Sequence, residues 1–305
     1  MTTSEPKPST PLAARGKLLA TAVLFSTGGA AIKACAMSGW QVAGFRSGIA
    51  ALALLVLVPS ARRAIRWRSV PVGVAYAATL ILFVLANKDT TAANTIYLQS
   101  TAPLYLVLLG PWLLRERTRR GDVAFMAALA AGFALFFVGH EAAVATAPHP
   151  LRGNILAACS GLTYALMLVG LRASSRPKDG EAVEEHHDGA AGAAIVTGNV
   201  IAFLACVPLM LPLGAHPARD WLLLGYLGVF QIGLAYALLA SAIRWVPALE
   251  ASLLLLVEPI LNPLWAWWTQ GERPGAWAIA GSMVILAATA ARTLASAGAQ
   301  RKAVG

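Results

Sequence analysis

Charge is what this sequence has little of. Only 12% of its 305 residues are Asp, Glu, Lys or Arg, against roughly a quarter in a soluble globular domain, so an ordinary water-exposed surface is excluded. Acids are the scarcer sign: 14 Asp and Glu stand against 24 Lys and Arg, a formal net charge of +10. Cysteine is rare too. Cys35, Cys159 and Cys206 are odd in number, lie in apolar stretches and show no CxxC or Cys/His spacing. That excludes a disulfide framework and a zinc site, and small buried hydrophobes are the reading left. No HExxH, GxSxG, P-loop or pair of intramembrane aspartates occurs. An intramembrane enzyme and direct ATP drive therefore have no residues to stand on, and no cofactor, metal or catalytic group is expected.

What the chain has in abundance is apolar surface: 58% of residues are hydrophobic and the mean hydropathy is +0.65. Apolar runs of about 18 to 23 residues recur between short polar breaks, the pattern of membrane-crossing helices. About ten are expected from that pattern, over 17–37, 40–58, 70–88, 93–114, 122–140, 152–172, 190–212, 221–243, 248–268 and 275–293. The fold class read from this is an all-α membrane protein. Arginine gathers in "PSARRAIRWRS", "RERTRRGD" and "RASSRPK", while "SGW", "KDTTAAN", "HEAAVATAPHP" and "GAHPARD" carry few basic residues. Positive loops stay in the cytoplasm, so an even number of crossings puts both termini there. Basic clusters that flank spans also remove the reason to invoke a nucleic-acid partner; membrane lipid is the partner they imply.

The polar, proline-rich opening over 1–16 reads as a disordered cytoplasmic tail, and 294–305 as a second cytoplasmic tail. The segment ending "KACA" mimics a cleaved signal, but Lys33 directly before the small residues argues against cleavage. The longest loop, with His186 and His187, reads as a solvated linker, because adjacent histidines project in different directions.

The chain repeats. Ala102-Pro103 is followed by Glu116 and Glu258-Pro259 by Glu272 at the same spacing; Lys88 with Arg244 and Ala92 with Ala248 match upstream, and Gly16 and Gly153 begin the two halves. The halves are expected over 17–140 and 152–293, joined by an outer connection over 141–151. Five crossings per half is an odd number, so the copies must enter the bilayer in opposite senses. An inverted repeat places a substrate site near the midplane between the halves.

On the paired Pro103…Glu116 and Pro259…Glu272 motifs, the two five-helix halves and "GFRSGIAALALL" in the second span, the chain resembles the drug/metabolite transporter superfamily and within it the ten-helix EamA-type exporters. Length and pattern are similar to bacterial exporters of aromatic amino acids. The resemblance implies a monomeric bundle of ten helices around a central cavity in a bacterial cytoplasmic membrane. It also implies alternating access by rocking or bending of helix pairs, and a small-molecule substrate. A sugar or nucleotide-sugar permease of the same superfamily and a lipid flippase are the rival readings.

The residues supply candidates for that cavity. Pro259 and Pro263 deprive carbonyls inside the ninth span of their donors, so this span must kink or unwind against protein or a wet cavity; Pro103 is the matching hinge in the fourth. Glu258 and Asn262 are one turn apart on one face. A carboxylate at that depth costs on the order of 3 kcal/mol, and three roles are open to it: carrying a coupling proton, binding a substrate ammonium, or hydrogen bonding to a neighbouring helix. Arg46 meets a substrate carboxylate or snorkels outward, and Lys33 and Lys88 are expected to snorkel. Ser26, Thr27, Tyr76, Thr79, Gln99, Ser100, Thr163, Tyr164, Gln231 and Tyr236 complete a moderately polar, aromatic-edged lining that suits a small amphipathic metabolite. Trp265, Trp267 and Trp268 read as an aromatic belt, and Gly28-Gly29 and Gly44 with Gly48 as sites of close helix contact.

Overall fold

A computed structural model describes residues 11–67, 69–113, 120–138, 143–174 and 183–304, and within them the regular structure is helical apart from one isolated β-bridge, Val144 with Ala147. In chain order the helices are α1 (Pro11–Ser26), α2 (Gly28–Ala34), α3 (Gly39–Leu57), α4 (Pro59–Ala64), α5 (Ser69–Asp89), α6 (Ala92–Gln99), α7 (Ala102–Leu113), α8 (Arg120–Val138), α9 (Pro150–Ser174) and α10 (Val183–Met210). They continue with α11 (Ala218–Gly225), a π-helical stretch (Tyr226–Leu234), α12 (Ala235–Ala242), a 3₁₀ turn (Ile243–Trp245), α13 (Ala248–Leu255), α14 (Val257–Gln270) and α15 (Ala276–Val304). Seven helical stretches are long and apolar enough to cross a membrane. The other three expected runs, 17–37, 93–114 and 248–268, are each two helices separated by a break, at Thr27, at Ser100-Thr101 and at Leu256.

The breaks at Ser100-Thr101 and Leu256 match each other. α6 starts at Ala92 and α13 at the equivalent Ala248, each is 8 residues long, and the helix that resumes carries Pro103 or Pro259 in its first turn. A proline there loses nothing, since first-turn N–H groups have no partner within the helix. The prolines thus begin new helices rather than kinking old ones. Pro263 remains inside α14.

Helices α3, α5, α9 and α10 pack together around Leu54, Tyr76, Met167 and Val196, while α8 and α15 pair beside them. At one end of the bundle the chain turns at 35–38, 89–91, 143–149, 211–217 and 271–275. These segments are tied together: Ala36 N–H donates to Asp220, His149 N–H to Asp89 O, and Arg152 pairs with Asp89 at 3.0 Å. We call this the arginine-poor end. The opposite, arginine-rich end is held by exposed or half-exposed pairs, Arg15 with Glu250 and Arg292 with Asp122.

Some boundaries differ from expectation. α1 begins at Pro11, so 11–16 are helical rather than disordered, and α15 runs on through 294–304 to Val304. α10 begins at Val183, which puts His186 and His187 in its first turns rather than in a linker. Cys35 and Cys206 are buried as expected, but Cys159 is exposed, on a face of α9 turned away from its neighbours.

Candidate functional site

The breaks in the chain converge on one cavity. Gln99, Ser100, Ala102 and Pro103 border it from one half, and Leu255, Leu256, Glu258 and Pro259 from the other. Its volume is about 360 Å³, at the small end of ligand sites. Both breaks thus lie beside a space that can hold water or ligand, the setting in which irregular backbone is tolerated at membrane depth.

The wall is aromatic on one side. Tyr76 from α5 and Tyr236 from α12 meet edge to face with ring centroids 6.0 Å apart, and Phe25 at the end of α1 meets Tyr236 at 5.0 Å. Tyr164 and Phe83 continue this wall. Polar groups are interleaved: Thr79 donates to Thr163 Oγ1 at 2.9 Å, Gln99 Nε2 donates to Ser160 Oγ at 2.7 Å, and Gln231 projects from the π-helical stretch. A π-helix shifts side-chain register within one turn and recurs at functional positions.

Two charges complete the lining. Arg46 is 2% exposed, its Nε has no hydrogen-bond partner, and no acid pairs with it among the described residues. It does not snorkel. Glu258 lies in the first turn of α14, where the helix dipole favours a carboxylate, and no base pairs with it among the described residues. One cation and one anion, each without a counter-ion among the described residues, thus face the same small space.

Of the residues expected at the cavity, Arg46, Tyr76, Thr79, Gln99, Ser100, Tyr164, Gln231, Tyr236 and Glu258 border it, as do the hinge candidates Pro103 and Pro259. Ser26, Thr27, Thr163, Asn262 and Pro263 do not. Ser26 accepts the indole N–H of Trp265 at 2.9 Å, and Thr27 bonds to Tyr226 at 2.8 Å across the break after α1. Thr163 stands behind Thr79. Asn262 is completely buried where α14 crosses α2 at Gly29, so one helical turn carries it past the cavity that Glu258 borders. Trp265 accordingly points inward, while Trp267 and Trp268 are exposed as a belt requires.

Lys33 and Lys88 also depart from expectation. Lys88 donates to Cys35 O, and Lys33 is sequestered with Glu272: their charged atoms are 2.6 Å apart and the side chains 4% and 2% exposed. Nothing in the spacing relates these two residues. The available signal was chemical, a lysine inside an apolar run and an acid in an acid-poor chain, each in need of an opposite charge. The equivalent Glu116 lies outside the described residues. Phe25, Phe83, Ser252 and Thr289, which line the cavity unforeseen, carry no sequence signal that separates them from ordinary span residues.

The sequence profile of the EamA-like transporter family matches residues 16–138 and again 151–292. A crystal structure of a protein superposes on the chain with a TM-score of 0.60 at 18% identity, covering 92% of this chain and 96% of its own, which is a likeness of fold. No curated protein matches the sequence.

Proposed function

Since the chain belongs to the EamA-like transporter family, and is a multi-pass membrane transporter of small molecules, we propose that it exports small zwitterionic metabolites, amino acids with aromatic ones among them. In this reading the seven long helices and three broken pairs make ten crossings as two inverted halves in a bacterial cytoplasmic membrane. Both termini and the arginine-rich end face the cytoplasm, and a monomer suffices. One observation carries the substrate class: Arg46 and Glu258 share a cavity with Tyr76, Tyr236 and Phe25, and neither has a counter-ion among the described residues. A carboxylate at Arg46 and an ammonium at Glu258 would neutralise both, each by a charge-assisted hydrogen bond, while an aromatic side chain rests on the tyrosines. A nucleotide sugar would call for several inward cations, and this lining offers one.

The shape supports export. The lining continues past the breaks toward the arginine-rich end through Ser252, Leu255, Leu286 and Thr289, and includes no residue of α2 and none of α14 beyond Pro259. With the arginine-rich end in the cytoplasm, such a cavity would load from there, as the first state of an export cycle does. Glu258 can also exchange its ammonium for a proton, which would couple export to the proton gradient.

The test is efflux of labelled amino acids, aromatic and aliphatic, from liposomes holding the purified protein, with and without an imposed pH gradient. Selective efflux of phenylalanine and tyrosine is expected. No efflux of any amino acid in either condition overturns the substrate class and brings sugars and lipids forward.

A further inference from the structure

Three half-helices, α2, α6 and α14, share a geometry that the substrate cavity does not explain. Each has one end at a break beside the cavity: α2 follows Thr27, α6 ends before Ser100-Thr101, and α14 follows Leu256. Their other ends meet at the arginine-poor end of the bundle, and all three touch one another. Lys33, in the last turn of α2, donates to Thr90 O at 2.7 Å and to Thr146 O at 2.5 Å as well as pairing with Glu272. Glu272 stands just past α14, after the left-handed Gly271 that ends it, and its second oxygen accepts the N–H of Ala92, the first residue of α6, at 2.8 Å. One buried ion pair therefore ties the outer ends of all three half-helices and the connection between the chain's halves.

We propose that α2, α6 and α14 form the gate that closes the cavity at the arginine-poor end, with Lys33 and Glu272 as its latch. The proposal rests on the transport reading, in which that cavity must open alternately to each side. The energetics suit a latch rather than a staple. A buried ion pair gives back in desolvation much of what it gains in attraction, so hydrating both groups on opening costs little. Asn262, completely buried between α14 and α2, has neither amide atom hydrogen bonded. Closure leaves that amide unsatisfied, which opposes the latch, and opening admits water to it. Thus the closed state is held by one polar pair and strained by another polar group in the same three-helix contact. Because α6 also ends at Gln99 and α14 begins beside Glu258, a ligand that shifts either inner end tilts a rigid half-helix whose outer end is the latch.

Distances between spin labels on Val144 and Thr269, both exposed, test this without any substrate, in protein whose Cys35, Cys159 and Cys206 are replaced by serine. The unsubstituted latch should give one dominant separation. Glu272→Gln, which keeps an acceptor for Ala92 N–H but removes the charge, and Lys33→Met should each raise a longer-distance population several-fold. Arg15→Gln, in the exposed pair with Glu250, should not. A second measurement joins Lys33→Cys and Glu272→Cys with a short, reducible bifunctional thiosulfonate: efflux of labelled phenylalanine should fall at least tenfold and recover on reduction. Unchanged distance distributions in both single variants overturn the latch whatever the substrate is, and undiminished efflux from the bridged protein overturns the gate. If phenylalanine is not transported at all, only the substrate class fails, and the distances still decide the gate.

Discussion

Arg46 and Glu258 can be told apart by what each would bind. Losing a charge-assisted hydrogen bond costs about 1.5–3 kcal/mol, or roughly one to two decades in affinity. Arg46→Ala should therefore weaken binding of phenylalanine and of 3-phenylpropanoate by at least about tenfold, and leave phenethylamine unaffected or tighter. Glu258→Gln should do the reverse, weakening phenylalanine and phenethylamine while sparing 3-phenylpropanoate. Calorimetry on the three ligands and two variants measures this cross-over. Loss of all three ligands in both variants would mean that the residues only hold the bundle together. Lys33 shows why such experiments are needed: both it and Arg46 are cations inside apolar runs, yet one faces the cavity and the other is bound to Glu272.

At the scale of the element, the half-helices depend on close approach. A Cβ on Gly29 would lie 2.7 Å from Asn262 Oδ1 and 3.0 Å from Ala92 Cβ, so α2, α14 and α6 meet at a point where a side chain does not fit. Gly29→Val should destabilise the protein by about 1–3 kcal/mol, the range for overpacking, read as a lowered Tm in detergent. A Cβ on Gly16 in α1 would meet nothing within 4 Å outside its own helix backbone, and Gly16→Ala should leave Tm unchanged or raise it by up to the equivalent of about 1 kcal/mol. Gly44 and Gly48 repeat the logic between α3 and α10, where Met210, Cys206 and Phe203 occupy the space their side chains would need. The GxxxG spacing made that contact legible, whereas nothing in "TGGAA" points to Asn262.

For the whole molecule, the division of charge between the two ends is the basis of the proposed orientation. In that orientation the arginine-rich turns hold one end in the cytoplasm. A fluorescent protein fused to the carboxyl terminus should therefore fluoresce in bacterial cells, and an alkaline phosphatase fused at the same point should be inactive. The converse result would invert the molecule and turn the cytoplasm-loading cavity into one that loads from outside. The same asymmetry appears in how the ends are held. Buried bonds among Lys33, Glu272, Thr90, Asn94 and Asn154 close the arginine-poor end. The arginine-rich end carries the Arg292 pair with Asp122 and the more exposed Arg15 pair with Glu250, whose arginine is about half exposed; an exposed pair of that kind is worth at most about 1 kcal/mol.

The sequence by itself determined where the helices run, because an apolar run in lipid must satisfy its own backbone and has no other regular way to do so. It also carried the match between the halves. The equal spacing from Ala92 to Pro103 and from Ala248 to Pro259 reappears as two eight-residue helices, each followed by a break and a proline-started helix. Only the tertiary structure decided which polar residues meet. Whether Asn262 borders the cavity like Glu258 or is buried against Gly29, and whether Lys33 reaches water or Glu272, depends on which helix passes opposite. That neighbour comes from the other half of the chain, at a distance in sequence over which no local periodicity acts.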